Sequence, residues 1–156
     1  MQVWNPSTEE HTVYPKTYGK ALTASSLPEG FSNFFASLTN PTHKRLIVQR
    51  LIADSEAIHT MLSSHESRMF ATSILFVYEG DAEALEMGIQ AEAREEVVID
   101  DDDDEEGEDE ETSPQFITKT KLIDFAHAMF REGLGPDMNV LVGVQNVLEH
   151  LKRMNV

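Results

Sequence analysis

The sequence contains no cysteine, which excludes a disulfide framework and any thiolate metal site. No apolar run approaches the ~20 residues needed to span a bilayer. The opening residues, Met1-Gln2-Val3-Trp4-Asn5-Pro6, lack the basic start and apolar centre of a secretory signal. Basic residues are scarce: 12 against 28 acids, for a formal net charge of −16. A surface of that sign is unsuited as a whole to nucleic acid, which is bound by neutralising phosphates. These absences predict an intracellular, soluble protein with neither nucleic acid nor membrane as a partner.

The acidity is local. Eleven acids fall within the twelve residues 100–111, from Asp100 to Glu111, and the remaining 17 acids face 12 bases. A run of that kind cannot bury apolar area and repels itself, so residues 97–114 are predicted to form a disordered insertion. Two uses are open to it: a solvated loop, or a tail that binds basic proteins such as histone segments. The spacing and glycine of an EF-hand loop are absent, leaving only loose Ca²⁺ association. The 156 residues suffice for one domain with a real core.

Residues 2–20 read as a hairpin, with β-prone Gln2-Val3-Trp4 and Thr12-Val13-Tyr14 around the turn residues Asn5-Pro6-Ser7-Thr8. A chain opening directly on a strand leaves an edge that expects a partner. Leu27-Pro28-Glu29-Gly30 reads as a turn, and Phe31, Phe34 and Phe35 anchor a short helix after it. Pro41-Thr42 opens the clearest helix, from about His43 to Leu62, with Ile47, Leu51, Ile58 and Leu62 on one stripe. His59 and His65 read as surface or helix-end residues, since no paired spacing supports metal binding.

Residues 69–78 form the strongest strand, apolar enough in its second half to be covered on both faces. Residues 82–96 are helix-prone. Residues 116–125 alternate as a strand and deliver Asp124 at its end. A strand that presents one carboxylate beside a loop suits holding a divalent metal against phosphate oxygens. Gly133-Leu134-Gly135-Pro136 is a loop, and Asp137 is an N-cap for a last helix. On that helix Val140, Leu141, Val144, Val147, Leu148, Leu151 and Met154 share one apolar face.

Four blocks, in order, give these segments a family resemblance. They are Tyr18-Gly19-Lys20 with Leu27-Pro28-Glu29-Gly30 and Phe34-Phe35; Ser73-Ile74-Leu75-Phe76-Val77-Tyr78-Glu79-Gly80; Ile123-Asp124-Phe125-Ala126-His127; and Gly135-Pro136-Asp137 through Gly143 and Leu148. Together they resemble the inositol polyphosphate kinase family, in its fungal multikinase type. The likeness covers most of the chain outside the acidic run.

The resemblance implies an α+β fold, with antiparallel strands packed against helices. It corresponds to the C-terminal lobe of a two-lobed, SAICAR synthase-like and distantly protein-kinase-like fold. The implied reaction is phosphorylation of soluble inositol phosphates by ATP with Mg²⁺, in the nucleus and/or cytoplasm. By matching motifs, Asp124 is the implied metal and cofactor residue, Ser73 supports the nucleotide site, and Lys20 meets substrate phosphate. His127 reads as a hydrogen-bonded structural residue, and Ala128 stands where the family usually has Thr or Ser.

One departure weighs most. The family's catalytic signature, Pro-xxx-Asp-x-Lys-x-Gly, lies upstream of the Tyr-Gly-Arg block. None of the six prolines here has Asp at +4 and Lys at +6. No catalytic residue is therefore assigned, and residues 1–156 are expected to be the C-lobe of a kinase lacking its front part, inactive alone. The alternative is a non-catalytic interaction module that binds basic proteins through residues 100–111. DNA just upstream of Met1 separates the two, encoding the signature in frame on the first reading and a stop codon or unrelated sequence on the second.

Overall fold

The computed structural model describes residues 1–94, 116–124 and 128–155. In chain order they form β1 (Gln2–Asn5), β2 (Glu10–Val13), α1 (Lys16–Ala21), α2 (Leu27–Phe34), α3 (Pro41–Ser64), β3 (Ser67–Met69), β4 (Ser73–Tyr78), α4 (Ala82–Ala93), β5 (Thr118–Ile123), β6 (Ala128–Phe130) and α5 (Met138–Met154). The fold is α+β, as the sequence predicts.

Two helices make the frame. The Asn40 side chain accepts from Thr42 N at 2.9 Å and Pro41 occupies the first turn, where its missing N–H costs nothing. Asp137 caps α5 in the same manner, and Lys152 and Arg153 sit in its last turn, where the helix dipole favours cations. α3 and α5 pack along each other. Ile47, Val48, Leu51 and Leu151 are sealed in one cluster with Phe35, Leu38, Leu85 and Ile117. Leu62, Met69, Leu141, Val144 and Leu148 form a second cluster.

α4 brings Leu85 to the first cluster and is tied to α3 by charge. The Arg50 guanidinium forks onto Glu92, with Nη1 to Oε1 at 2.9 Å and Nη2 to Oε2 at 2.5 Å. The 3.1 Å contact between His43 Nε2 and Glu86 Oε2 is a second tie, and Gln90 and then His43 hold the Glu86 carboxyl below its usual range.

All strand pairs among the described residues are antiparallel: β1–β2, β3–β6 and β4–β5. The last two pairs run in succession. The Met69↔Ala128 pair closes one and Ser73↔Ile123 opens the next. Three residues lie between them on one chain segment and four on the other. Ala71 (φ 59°) and Asp124 (φ 66°) both adopt left-handed backbone at this interruption. Asp tolerates that conformation better than most side chains, and Ala does so at a cost.

Several expectations are corrected. Residues 69–78 are not one strand, because the chain breaks at 70–72 between β3 and β4. Nor is β4 covered on both faces. Ile74, Phe76 and Tyr78 pack inward, whereas Leu75 and Val77 stay 42% and 40% exposed. The predicted turn at Leu27-Pro28-Glu29-Gly30 is the first turn of α2, because proline suits a helix start as well as a turn. Residues 16–20, read as part of the hairpin, turn helical as α1, and β6 had no counterpart in the sequence reading. The acidic run lies outside the described residues.

Candidate functional site

The hairpin β1–β2, α1, α2 and β4 enclose a cavity of about 1200 Å³, with Leu75, Phe76 and Val77 in its lining. Gly80, just past β4, makes the hairpin's close approach possible, since a Cβ there would lie 2.7 Å from Trp4 Cβ. Tyr78 secures the other side of the strand. Its hydroxyl meets Ser37 Oγ at 2.8 Å and donates to the Phe34 carbonyl. Burial pushes the Tyr78 phenol up despite the Ser37 hydrogen bond, so it stays protonated.

Ser73 and Asp124 come together at the end of the β4–β5 pair. Ser73 is paired with Ile123, and Asp124 follows directly. The Thr72 hydroxyl reaches the Asp124 carbonyl at 3.5 Å, and the Asp124 side chain is exposed. Lys20 lies elsewhere, on the exposed side of α1, where it lines the cavity that Ile74 and Leu75 also line; Ser73 and Asp124 are not in that lining. The structure thus joins two of the three residues that the sequence points to and sets the third on a neighbouring surface. Phe125, Ala126 and His127 lie outside the described residues.

Among the described residues, no three His, Cys, Asp or Glu side chains converge as a metal cage. Mg²⁺ keeps several waters and is bound through one or two carboxylates plus substrate phosphates, so a single exposed Asp suits an ion that arrives with a nucleotide.

The loop after β6 is held by Glu66 and Arg68, which the sequence reading did not single out. Arg68 Nη2 donates to the Leu134 carbonyl at 2.7 Å and Nη1 to the Gly135 carbonyl at 2.9 Å. Glu66 accepts from Gly133 N at 2.6 Å and Gly135 N at 3.3 Å. Gly133 (φ 84°) and Gly135 (φ 63°) supply the left-handed turns that aim these amides. The Asp137 carboxylate accepts from Met69 N at 2.9 Å as well as capping α5. Partial desolvation raises its pKa, but the amides of Met69, Val140 and Asn139 and the charge on Arg68 outweigh it, so the carboxyl lies below its usual range.

Comparison with known proteins decides the lineage. The family model described as "Inositol polyphosphate kinase" matches residues 1–152. The chain belongs to the inositol polyphosphate kinase family. Inositol polyphosphate multikinase of Saccharomyces cerevisiae is 29% identical over 155 residues, covering 86% of this chain and 42% of the yeast protein. The chain therefore spans less than half the length of that relative. The crystal structure of the yeast inositol phosphate multikinase with ADP and Mn²⁺ superposes with a TM-score of 0.69 at 23% identity. The match covers 97% of this chain and 54% of that one, a likeness of fold.

Proposed function

We propose that residues 1–156 furnish the C-terminal lobe of an ATP-dependent kinase acting on soluble inositol phosphates. The observation carrying this reading is the placement of Asp124, an exposed carboxylate on left-handed backbone where β5 ends beside Ser73. Bound Mg²⁺ would neutralise charge on the transferring phosphoryl group, a reaction that depends mainly on positioning. In this chain Asp124 would hold that ion, Ser73 would support the nucleotide, and Lys20, at the cavity wall, would meet a substrate phosphate. The ADP and Mn²⁺ bound by the yeast relative support the assignment of ligands.

The Pro-xxx-Asp-x-Lys-x-Gly signature is not in this sequence. Positioning of substrate and catalytic groups contributes roughly 7–11 kcal/mol to lowering a barrier, and the residues present supply only part of it. On this reading the 156 residues alone are expected to transfer no phosphate. The test is phosphate transfer from labelled ATP to a panel of inositol phosphates. It compares this chain, a chimera carrying upstream the segment of the yeast relative that precedes its match to this chain, and Asp124→Asn in both. Transfer by the chimera that vanishes with Asp124→Asn is expected; transfer by the chimera that survives the substitution refutes the role of Asp124. A second reading, binding of basic proteins through residues 100–111, rests on the density of acids there.

A further inference from the structure

We propose that Glu66 and Arg68 are positioning residues for Asp124, acting from the far end of the β3–β6 pair; this rests on the reading of Asp124 as a metal carboxylate. The two side chains flank Ser67 at the start of β3 and grip the same loop in opposite senses. Arg68 donates to the carbonyls of Leu134 and Gly135, and Glu66 accepts from the amides of Gly133 and Gly135. The Glu66 carbonyl also accepts from Arg131 N at 3.2 Å, directly after β6. Asp137 adds a third link through Met69 N.

The geometry gives this grip a consequence beyond the loop. β3 and β6 share only three residue pairs, from Ser67↔Phe130 to Met69↔Ala128. So short a ladder specifies its own register weakly, and a slip of one residue moves a strand by about 3.3 Å and turns its side chains to the other face. Ala128 is tethered to Asp124 by only three residues. The β4–β5 ladder sets Asp124 beside Ser73, and the clamp that holds β6 in register limits how far Asp124 can shift from that place. Neither Glu66 nor Arg68 touches the carboxylate.

The experiment uses the full chain, ¹⁵N-labelled, titrated with Mn²⁺ alone, and reads paramagnetic broadening of the Ser73 and Ile123 amides. Local broadening is expected in the wild type and its loss in Asp124→Asn. Arg68→Met is expected to weaken the Mn²⁺ dependence at these amides about threefold, less than the roughly tenfold or more lost when a direct hydrogen-bond partner of a metal ligand is removed, because the clamp acts through the backbone. Glu66→Gln, which keeps one acceptor oxygen, weakens it less. Glu132→Gln removes the same charge from the same loop without touching the clamp and leaves it unchanged.

Unaltered α3 and α5 amide positions certify the fold; if Arg68→Met does not fold, Glu66→Gln against Glu132→Gln decides. Loss in Asp124→Asn with undiminished broadening in the clamp variants overturns the inference alone. Broadening that persists in Asp124→Asn overturns the metal reading and the inference with it.

Discussion

Along α3, Ile47, Val48 and Leu51 are sealed from solvent, whereas along β4 Leu75 and Val77 keep 42% and 40% of their surface. The two stretches are both rich in aliphatic residues, but they spend them differently. The helix pair α3–α5 uses its apolar face to build a core. Strand β4 gives Ile74, Phe76 and Tyr78 to that core and leaves Leu75 and Val77 open, and Met129 and Phe130 of β6 are exposed as well. An element with an apolar face to spare can accept a ligand or a covering segment. The comparison separates a scaffold from a working surface within one small fold.

The sharpest way to break that comparison is to truncate one residue from each side. Leu51→Ala should cost about 2–5 kcal/mol, because its cavity opens in packed surroundings. Leu75→Ala should cost about 1 kcal/mol or less, since much of its side chain already faces water. Urea unfolding of the two variants measures both; equal losses would erase the distinction.

Asp137 stands where the two regions meet, capping α5 and holding β3, and its removal comes next in size. Asp137→Ala should cost about 1–2 kcal/mol. Its folded pKa lies below the unfolded value of about 3.9, so its contribution is complete above that pH and fades as pH falls through the folded pKa. Asp137→Asn, which can still cap, should flatten the acid limb of stability against pH. The smallest effect is expected at Lys152–Glu56, a 2.7 Å ion pair between α5 and α3 with both side chains half exposed. Glu56→Gln should change stability by about 0.5 kcal/mol or less, because water screens such a pair.

The same division explains what could be read from the sequence. α3 and α5 were legible because their signals are local: a cap, a proline in the first turn, and an apolar stripe at helical spacing. The break at residues 70–72 was not, because Phe70 and Thr72 are good strand formers and the interruption is imposed by pairing with residues far along the chain. β6 was missed because three residues carry too little pattern. Asp124 and Ser73 were singled out through motif resemblance, and the pairing register brings them together. Glu66 and Arg68 escaped because their partners lie 66 to 69 residues away. Two opposite charges at the start of an apolar strand, matched with a glycine-rich loop, were the faint sign available.

Amide hydrogen exchange with and without Mg²⁺ and a non-hydrolysable ATP analogue tests the division most directly. The account predicts slow exchange in α3 and α5 that the nucleotide leaves unchanged, and faster exchange around Ser73 and Ile123 that the nucleotide slows. Protection appearing in α3 and α5 while the amides around Ser73 and Ile123 stay unaffected would contradict it.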